Sequence, residues 1–295
     1  MDDYSQKVDN LIIQTAKKYI LYFWLNLLPV SYPLVLHMAT FLFDKVIFGP
    51  VISRRLGISL GINVLPLGCK FCNFDCVYCE CGLSFEDAKS NALPTREEIS
   101  QALKTKLISM QENNDMLDVI TFAGNGEPTL HPSFSEIVDD TISLRDTYFP
   151  GALVSVLSNS TMLSNPAVID SLKKVDRNIL KLDSGLVSTI EMMNQPEGKI
   201  DLPKLVSHLK QFEGKLIIQT MFTKGTISGK WIDNTTQEDL QAWEEIIEQV
   251  RPQMVMIYTI DRDTPYEGLQ KISLTQLNEI ALPLKNKGFE VQVSG

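Results

Sequence analysis

Residues 68–82 read GCKFCNFDCVYCECG, and this short stretch carries all five cysteines of the 295-residue chain. Disulfides that stabilise a secreted fold are normally spread along a sequence, where they close long loops. Five thiols crowded between positions 69 and 81 instead indicate one local metal site in a reducing compartment. We therefore expect a cytoplasmic, metal-binding protein.

The spacing of the cysteines helps to distinguish an iron–sulfur cluster from a zinc site. Cys72, Cys76 and Cys79 are separated by three and then two residues, so one loop can offer three thiolates to a cubane 4Fe–4S cluster and leave the fourth iron open. Zinc is the alternative, because Cys69 and Cys72 form one CxxC pair and Cys76 and Cys79 another. Structural zinc sites usually separate such pairs by about a dozen residues or more. The spacing thus favours an iron–sulfur cluster, with zinc as the rival.

The spacing Cys-x3-Cys-x2-Cys, with an aromatic residue before the last cysteine, resembles the signature of the radical S-adenosylmethionine (SAM) superfamily. Together with FGPVISRRLGISLGINVLP at residues 48–66, it is similar to a subgroup of iron–sulfur oxidoreductases related to the wyosine-base synthases of tRNA modification. The resemblance covers most of residues 44–290. It implies that SAM chelates the fourth iron and is cleaved reductively to methionine and a 5′-deoxyadenosyl radical. It also implies a flavodoxin- or ferredoxin-type electron donor, and it leaves the substrate unidentified.

The remainder of the chain alternates strand-like and helix-like segments, which is typical of a parallel α/β sheet. Helices are predicted at 96–111, after a capping box formed by Thr95 and Glu98, at 237–250 and at 274–288. Predicted strands, rich in Val, Ile, Leu or aromatic residues, lie at 59–65, 118–122, 153–157, 179–182, 215–221 and 254–259, with an optional one at 290–293. The sequence therefore predicts a partial (β/α)6 barrel of parallel strands with the cluster loop after the first strand.

The resemblance also assigns SAM-binding residues. Tyr78 matches the aromatic position that lies beside the adenine. ITFAGNGEPTLHP at residues 120–132 resembles the glycine-glycine-glutamate motif, with Gly126 and Glu127 at matching positions and Asn125 where the first glycine often stands. By itself, GNGEP would indicate an ordinary turn. His131 belongs either to this site or to the start of the next helix.

Polar residues follow the predicted strands at their carboxyl ends, where ligands of parallel α/β folds gather. Ser158 and Asn159 are similar to family positions that contact the ribose or carboxylate of SAM, with helix capping as the alternative. Asp183 is predicted to bind the ribose, with orienting the substrate or capping the next segment as alternatives. Lys181 faces the same predicted cavity. Weaker, substrate-side candidates at later strand ends are Gln219, Thr220, Tyr258, Asp261 and Arg262. Which residues act catalytically on the substrate is not indicated.

The first 43 residues form a separate, apolar extension in this prediction, and residues 44–295 form the radical SAM core domain. No Lys, Arg, Asp or Glu occurs at 19–43, a run long enough to cross a membrane but interrupted by Pro29 and Pro33. A dispensable extension, with the native start at Met38, is favoured over a packed segment, and a membrane contact is the least favoured of the three.

Charge and cysteine count bear on the substrate. The net charge of −9 disfavours broad nucleic-acid binding. Arg54, Arg55 and Lys70 are basic residues from which a local basic face could form, so RNA is kept as a candidate substrate. Cysteines are absent before Cys69 and after Cys81, which excludes both the upstream cysteine set of the wyosine synthases and C-terminal auxiliary clusters. These absences weaken a role in tRNA modification. A non-catalytic iron–sulfur or metal-binding module is the remaining alternative.

Overall fold

A computed structural model describes residues 41–53, 55–84 and 92–295. The strands among these residues are β1 (Ile47–Ser53), β2 (Gly57–Ile62), β3 (Val119–Phe122), β4 (Leu153–Ser158), β5 (Arg177–Lys181), β6 (Ile217–Met221), β7 (Thr223–Ile227), β8 (Lys230–Asp233), β9 (Met254–Tyr258), β10 (Leu269–Lys271) and β11 (Val291–Ser294). The α-helices are α1 (Arg96–Glu112), α2 (Phe134–Tyr148), α3 (Pro166–Lys174), α4 (Val187–Asn194), α5 (Leu202–Lys210), α6 (Gln237–Val250) and α7 (Leu274–Asn286).

Eight strands form one sheet in the order β1-β2-β3-β4-β5-β6-β9-β11, and the sheet curls into a half-barrel. All neighbours from β2 to β11 are parallel, while β1 runs antiparallel to β2. The predicted α/β partial barrel is confirmed. The optional strand is present as β11, and β1 is an addition that the sequence did not indicate because Gly49 and Pro50 interrupt its apolar pattern.

The helices begin where their capping residues predict. Thr95 and Glu98 form a capping box at α1, Thr236 accepts a hydrogen bond from the backbone of Asp239 at α6, and Ser273 forms a second capping box at α7. The apolar residues Trp243, Ile246, Ile247 and Val250 of α6 are buried, and Trp243 donates a hydrogen bond to Thr220 of the sheet. Local hydrogen bonds thus determine where these helices begin, and burial of apolar side chains determines which side of each helix faces the core.

A second, three-stranded antiparallel sheet has the order β10-β7-β8 and was not predicted. Its Ile227 and Ile232 belong to the same buried apolar cluster as Cys76, Val77 and Tyr78. The small sheet thus packs against the cysteine loop, which follows β2 as predicted.

Residues 1–40 of the extension predicted at 1–43, with most of the apolar run at 19–43, lie outside the described residues, and the division at residue 44 stays a prediction. Among the residues that the structure describes, no helix combines the length and apolarity needed to cross a membrane.

Candidate active site

The cysteine loop is anchored to the end of β3 by backbone hydrogen bonds. Phe71 N donates to Asn125 O over 2.7 Å, and Glu127 N donates to Phe71 O over 3.1 Å. Gly126, between these two contacts, has a φ of +143°, and a Cβ atom there would lie 1.9 Å from Phe71 O. Only glycine lets the two segments approach this closely. The predicted glycine motif and the cysteine loop are therefore adjacent in space.

Cys72 lies in a polar network with the end of β4. Its Sγ accepts a hydrogen bond from Phe74 N at 3.4 Å, and Asn159 Nδ2 contacts the same sulfur at 3.7 Å. Asn159 Nδ2 also donates to Asn73 Oδ1 over 2.8 Å, which fixes the amide beside the loop. Hydrogen bonds of this kind orient thiolate ligands and lower the electron density on their sulfurs.

Glu127 connects β3 to β4. Its Oε1 accepts hydrogen bonds from the Thr129 backbone and hydroxyl and from Ser158 Oγ, and its Oε2 accepts one from Asn159 N. The residue is 2% exposed, and burial raises the pKa of its carboxyl. Since a carboxylate oxygen has about two acceptor sites, Oε2 retains capacity for a further donor such as an ammonium group.

A second polar network surrounds Cys76. Asn194 Nδ2, at the end of α4, donates to Cys76 Sγ over 3.4 Å and to Asp183 Oδ2 over 2.7 Å. Tyr78 donates its hydroxyl proton to the same carboxylate and accepts a hydrogen bond from Lys181 Nζ over 2.6 Å. Asp183 thus joins the cysteine loop to β5 and α4. The sequence did not indicate Asn194, whose position at a helix end carries no recognisable motif.

The three thiols of the motif differ in their acidity. Burial raises the pKa of Cys72 to about 12 and also raises the pKa of the fully enclosed Cys76. The pKa of Cys79 is lowered to about 6, first by its hydrogen bond with Cys81 and then by the positive charge of Lys70 against the opposing effect of burial. Burial and the neighbouring Asp183 raise the pKa of Tyr78, which keeps its hydroxyl protonated as a donor.

Asn125 and His131 have structural partners. Asn125 exchanges hydrogen bonds with the backbone of Phe43, so it fastens the segment before β1 to the site. His131 Nε2 lies 2.9 Å from Pro94 O, and its Nδ1 accepts from Ser133 N just before α2. The alternative in which His131 belongs to the start of the helix agrees with these contacts.

The substrate-side candidates at the later strand ends occupy different surroundings. Thr220 donates to Leu182 O and accepts from Trp243 Nε1, so its hydroxyl is engaged within the core. Asp261 pairs with Lys271 at 3.1 Å, and both side chains are exposed.

Arg262 pairs with Glu80 at 2.6 Å on the surface of the cysteine loop. Tyr258 lies beneath the guanidinium group of Arg55, and Gln219 is buried in the middle of β6. Of these later candidates, Tyr258 packs against the buried cluster that contains Cys76 and Tyr78, whereas Thr220 and Asp261 are engaged elsewhere. A substrate role for each stays a prediction.

A cavity of about 240 Å³ opens beside both networks. Asn159 from the first network and Lys181, Asp183 and Asn194 from the second line its wall, and Phe74 of the cysteine loop lines it as well. Clefts with a few fixed polar groups are typical ligand sites. A ligand in this cavity would contact Asn159 of the first network and Asp183 and Asn194 of the second, whereas Glu127 and the three motif cysteines do not line it.

The residues present fit an iron–sulfur cluster. Three cysteines project from one loop, two of their sulfurs accept amide or backbone hydrogen bonds, and Gly126 leaves the space that a Cβ would fill against Phe71 and Cys72. Such donor sets and sulfur hydrogen bonds are characteristic of cubane sites. Within residues 41–53, 55–84 and 92–295, no three or more His, Cys, Asp or Glu side chains converge on a position that suits one metal ion.

Comparison with known proteins agrees with this arrangement. The model of the radical SAM superfamily matches residues 68–213. A UPF0026 protein of Synechocystis sp. is 30% identical over 232 residues, which cover 75% of this chain and 77% of the relative. A protein of Brachyspira hyodysenteriae named GTPase Obg is 31% identical over 256 residues, and the match covers 85% of this chain but 34% of that protein.

Among solved structures, a radical SAM methyltransferase from Sphaerobacter thermophilus superposes with a TM-score of 0.59. The match covers 80% of this chain and 65% of that one at 14% sequence identity, so it shows a shared fold and no more. The match to the superfamily model begins at residue 68 and so includes the cysteine loop. The chain belongs to the radical SAM superfamily and, within it, to the family of UPF0026 proteins.

Proposed function

We propose that this protein is a radical SAM enzyme that holds one 4Fe–4S cluster on Cys72, Cys76 and Cys79. The observation that carries the proposal is that each polar network contacts a motif cysteine, Asn159 at Cys72 and Asn194 at Cys76, and that both amides also line one cavity. When bound, a reduced cluster supplies one electron that breaks the S–C5′ bond of SAM and gives methionine and a 5′-deoxyadenosyl radical, which takes a hydrogen atom from the substrate.

The residues around the loop would bind and orient SAM. Glu127 Oε2 has room to accept from the amino group of SAM, since Asn159 N is its one hydrogen-bond partner among the described residues. Ser158 and Asn159 hold that carboxylate in place. Tyr78 and Asp183 present a hydroxyl and a carboxylate beside Cys76, where the resemblance puts the adenosine part of SAM.

The small sheet and the apolar side chains around the loop would keep water from the site. Ile227, Ile232 and Met221 pack with Val77 into one buried cluster. Exclusion of water prevents side reactions of a reactive intermediate. The electron would come from a flavodoxin- or ferredoxin-type protein, and the substrate remains unidentified.

RNA modification, which the resemblance to the wyosine-synthase-related subgroup suggests, finds little support in the charges near the loop. Lys70 is 2% exposed and paired with Asp75, and Arg55 lies over the ring of Tyr258. The charge of Lys70 is therefore engaged within the loop, and Arg54, the remaining residue of the predicted basic face, lies outside the described residues. We therefore favour a substrate other than RNA.

The test is anaerobic reconstitution with iron and sulfide, followed by dithionite and SAM. We expect 5′-deoxyadenosine and methionine to form in equal amounts. Replacement of Cys72, Cys76 or Cys79 with alanine should abolish both cluster and product, whereas Cys69→Ala is the matched control that should retain them. No 5′-deoxyadenosine above background with a fully loaded cluster would exclude the enzyme and leave a non-catalytic cluster protein. A colourless, stoichiometric metal would instead identify a zinc protein.

A further inference from the structure

Lys70 is an enclosed cation at the start of the cysteine loop. Its side chain is 1% exposed, and it lies two residues before Cys72. Lysine is almost never fully buried in proteins unless it is paired, because its charge must leave water. The position of this ammonium group therefore needs a physical reason beyond packing.

The ammonium group joins the two halves of the loop. Lys70 Nζ donates to Asp75 Oδ1 over 2.9 Å and to Gly82 O over 2.9 Å. Asp75 lies between the first two cysteines of the motif and also accepts from Ser84 N over 2.8 Å, whereas Gly82 follows the third cysteine. Both described partners are acceptors, which is the environment that a protonated amine requires.

The positive charge lies inside the loop that carries the three motif cysteines. Lys70 Nζ is held by Asp75, between Cys72 and Cys76, and by Gly82, three residues after Cys79, so no layer of water separates the ammonium group from the loop. The opposing carboxylate of Asp75 is 31% exposed, so that water screens part of its charge, whereas Lys70 has no such screening. The pair therefore presents a net positive field to the cysteines.

We propose that Lys70 is a positioning residue that ties the cysteine loop closed and raises the reduction potential of the cluster which the loop holds. One-electron reduction adds a negative charge to the cluster, and an enclosed cation stabilises the reduced form more than the oxidised form. Asp75 opposes this effect in part. The proposal rests on the proposed function only in requiring that Cys72, Cys76 and Cys79 bind a cluster.

The experiment is an anaerobic redox titration, followed by EPR, of the reconstituted full chain and its variants at equal iron and sulfide content. Lys70→Met should lower the equilibrium constant for cluster reduction by about tenfold, which is a decrease of about 59 mV for one electron. Lys70→Arg should stay near the wild-type value. Lys104→Met on the exposed face of α1 is the matched control for the change in charge and should leave the potential unchanged.

Asp75→Asn gives a prediction of opposite sign that does not depend on Lys70→Met folding. It leaves the cation in place and removes its counter-charge, so the potential should rise. A Lys70→Met potential equal to or above the wild-type value, a Lys70→Arg potential as low as that of Lys70→Met, or a lower potential in Asp75→Asn would each overturn the proposal. Failure of the wild-type chain to assemble any cluster would overturn the proposed function instead.

Discussion

Replacement of Gly126 with alanine should disturb the docking of the cysteine loop on β3. The new Cβ would lie 1.9 Å from Phe71 O and 3.2 Å from Cys72 Cβ, and the φ of +143° is itself unfavourable for a residue with a side chain. Backbone strain of this kind costs about 1–3 kcal/mol. The two hydrogen bonds between Phe71 and the 125–127 turn would be displaced, at about 0.5–1.5 kcal/mol each.

Strain and lost hydrogen bonds together lower the free energy of unfolding by about 2–6 kcal/mol. For a domain of this size, the lower end of that range decreases the melting temperature by about 4 °C. We expect Gly126→Ala to show this shift in differential scanning calorimetry of the apo-protein and to bind less iron after reconstitution. Gly151→Ala is the matched control, because a Cβ there meets no atom within 4 Å. A Gly126→Ala protein that melts and binds iron like wild type would refute the reasoning that glycine is required for this contact.

Three further changes test other parts of the site. Cys81→Ala removes the hydrogen bond that does most to lower the pKa of Cys79 to about 6, so less Cys79 thiolate will exist at pH 7. Iodoacetamide should therefore label Cys79 of the apo-protein more slowly, as followed by mass spectrometry. An unchanged labelling rate would contradict this prediction. Asp183→Ala removes a buried carboxylate that accepts hydrogen bonds from Tyr78, Asn194 and Met221 N. Loss of these bonds should cost at least about 1–3 kcal/mol, measured as a lower urea midpoint, and an unchanged midpoint would show that they do not stabilise the fold. Trp243→Phe removes the 2.9 Å hydrogen bond to Thr220 and should cost about 1–3 kcal/mol in the same assay, whereas equal stability would argue against that bond.

The main strands and several helix starts could be predicted because their signals are local. Strands β3, β4 and β6 are short apolar runs bounded by polar or turn residues, and Thr95 and Ser273 carry complete capping boxes in the sequence. The small sheet had no such signal. Its strand β7 contains Gly225 and three polar residues, so its burial depends on the cysteine loop rather than on a pattern of its own.

The motifs of the site could be predicted from the sequence, but the hydrogen bonds that join them across the fold could not. The cysteine spacing and Glu127 are visible in the sequence, whereas the bond from Asn194 to Cys76 joins residues 118 positions apart. Lys70 illustrates the same limit, because a lysine between cysteines suggests a solvated or RNA-facing charge. Its enclosure by Asp75 and Gly82 follows only from the folded loop.

The claim that three cysteines leave one iron open to SAM is tested most directly by EPR of the dithionite-reduced, reconstituted wild-type chain with and without SAM. We predict that SAM changes the g values of the reduced cluster, because its amino and carboxylate groups become ligands of the fourth iron. Saturating SAM that leaves the spectrum of a fully loaded cluster unchanged would contradict the claim.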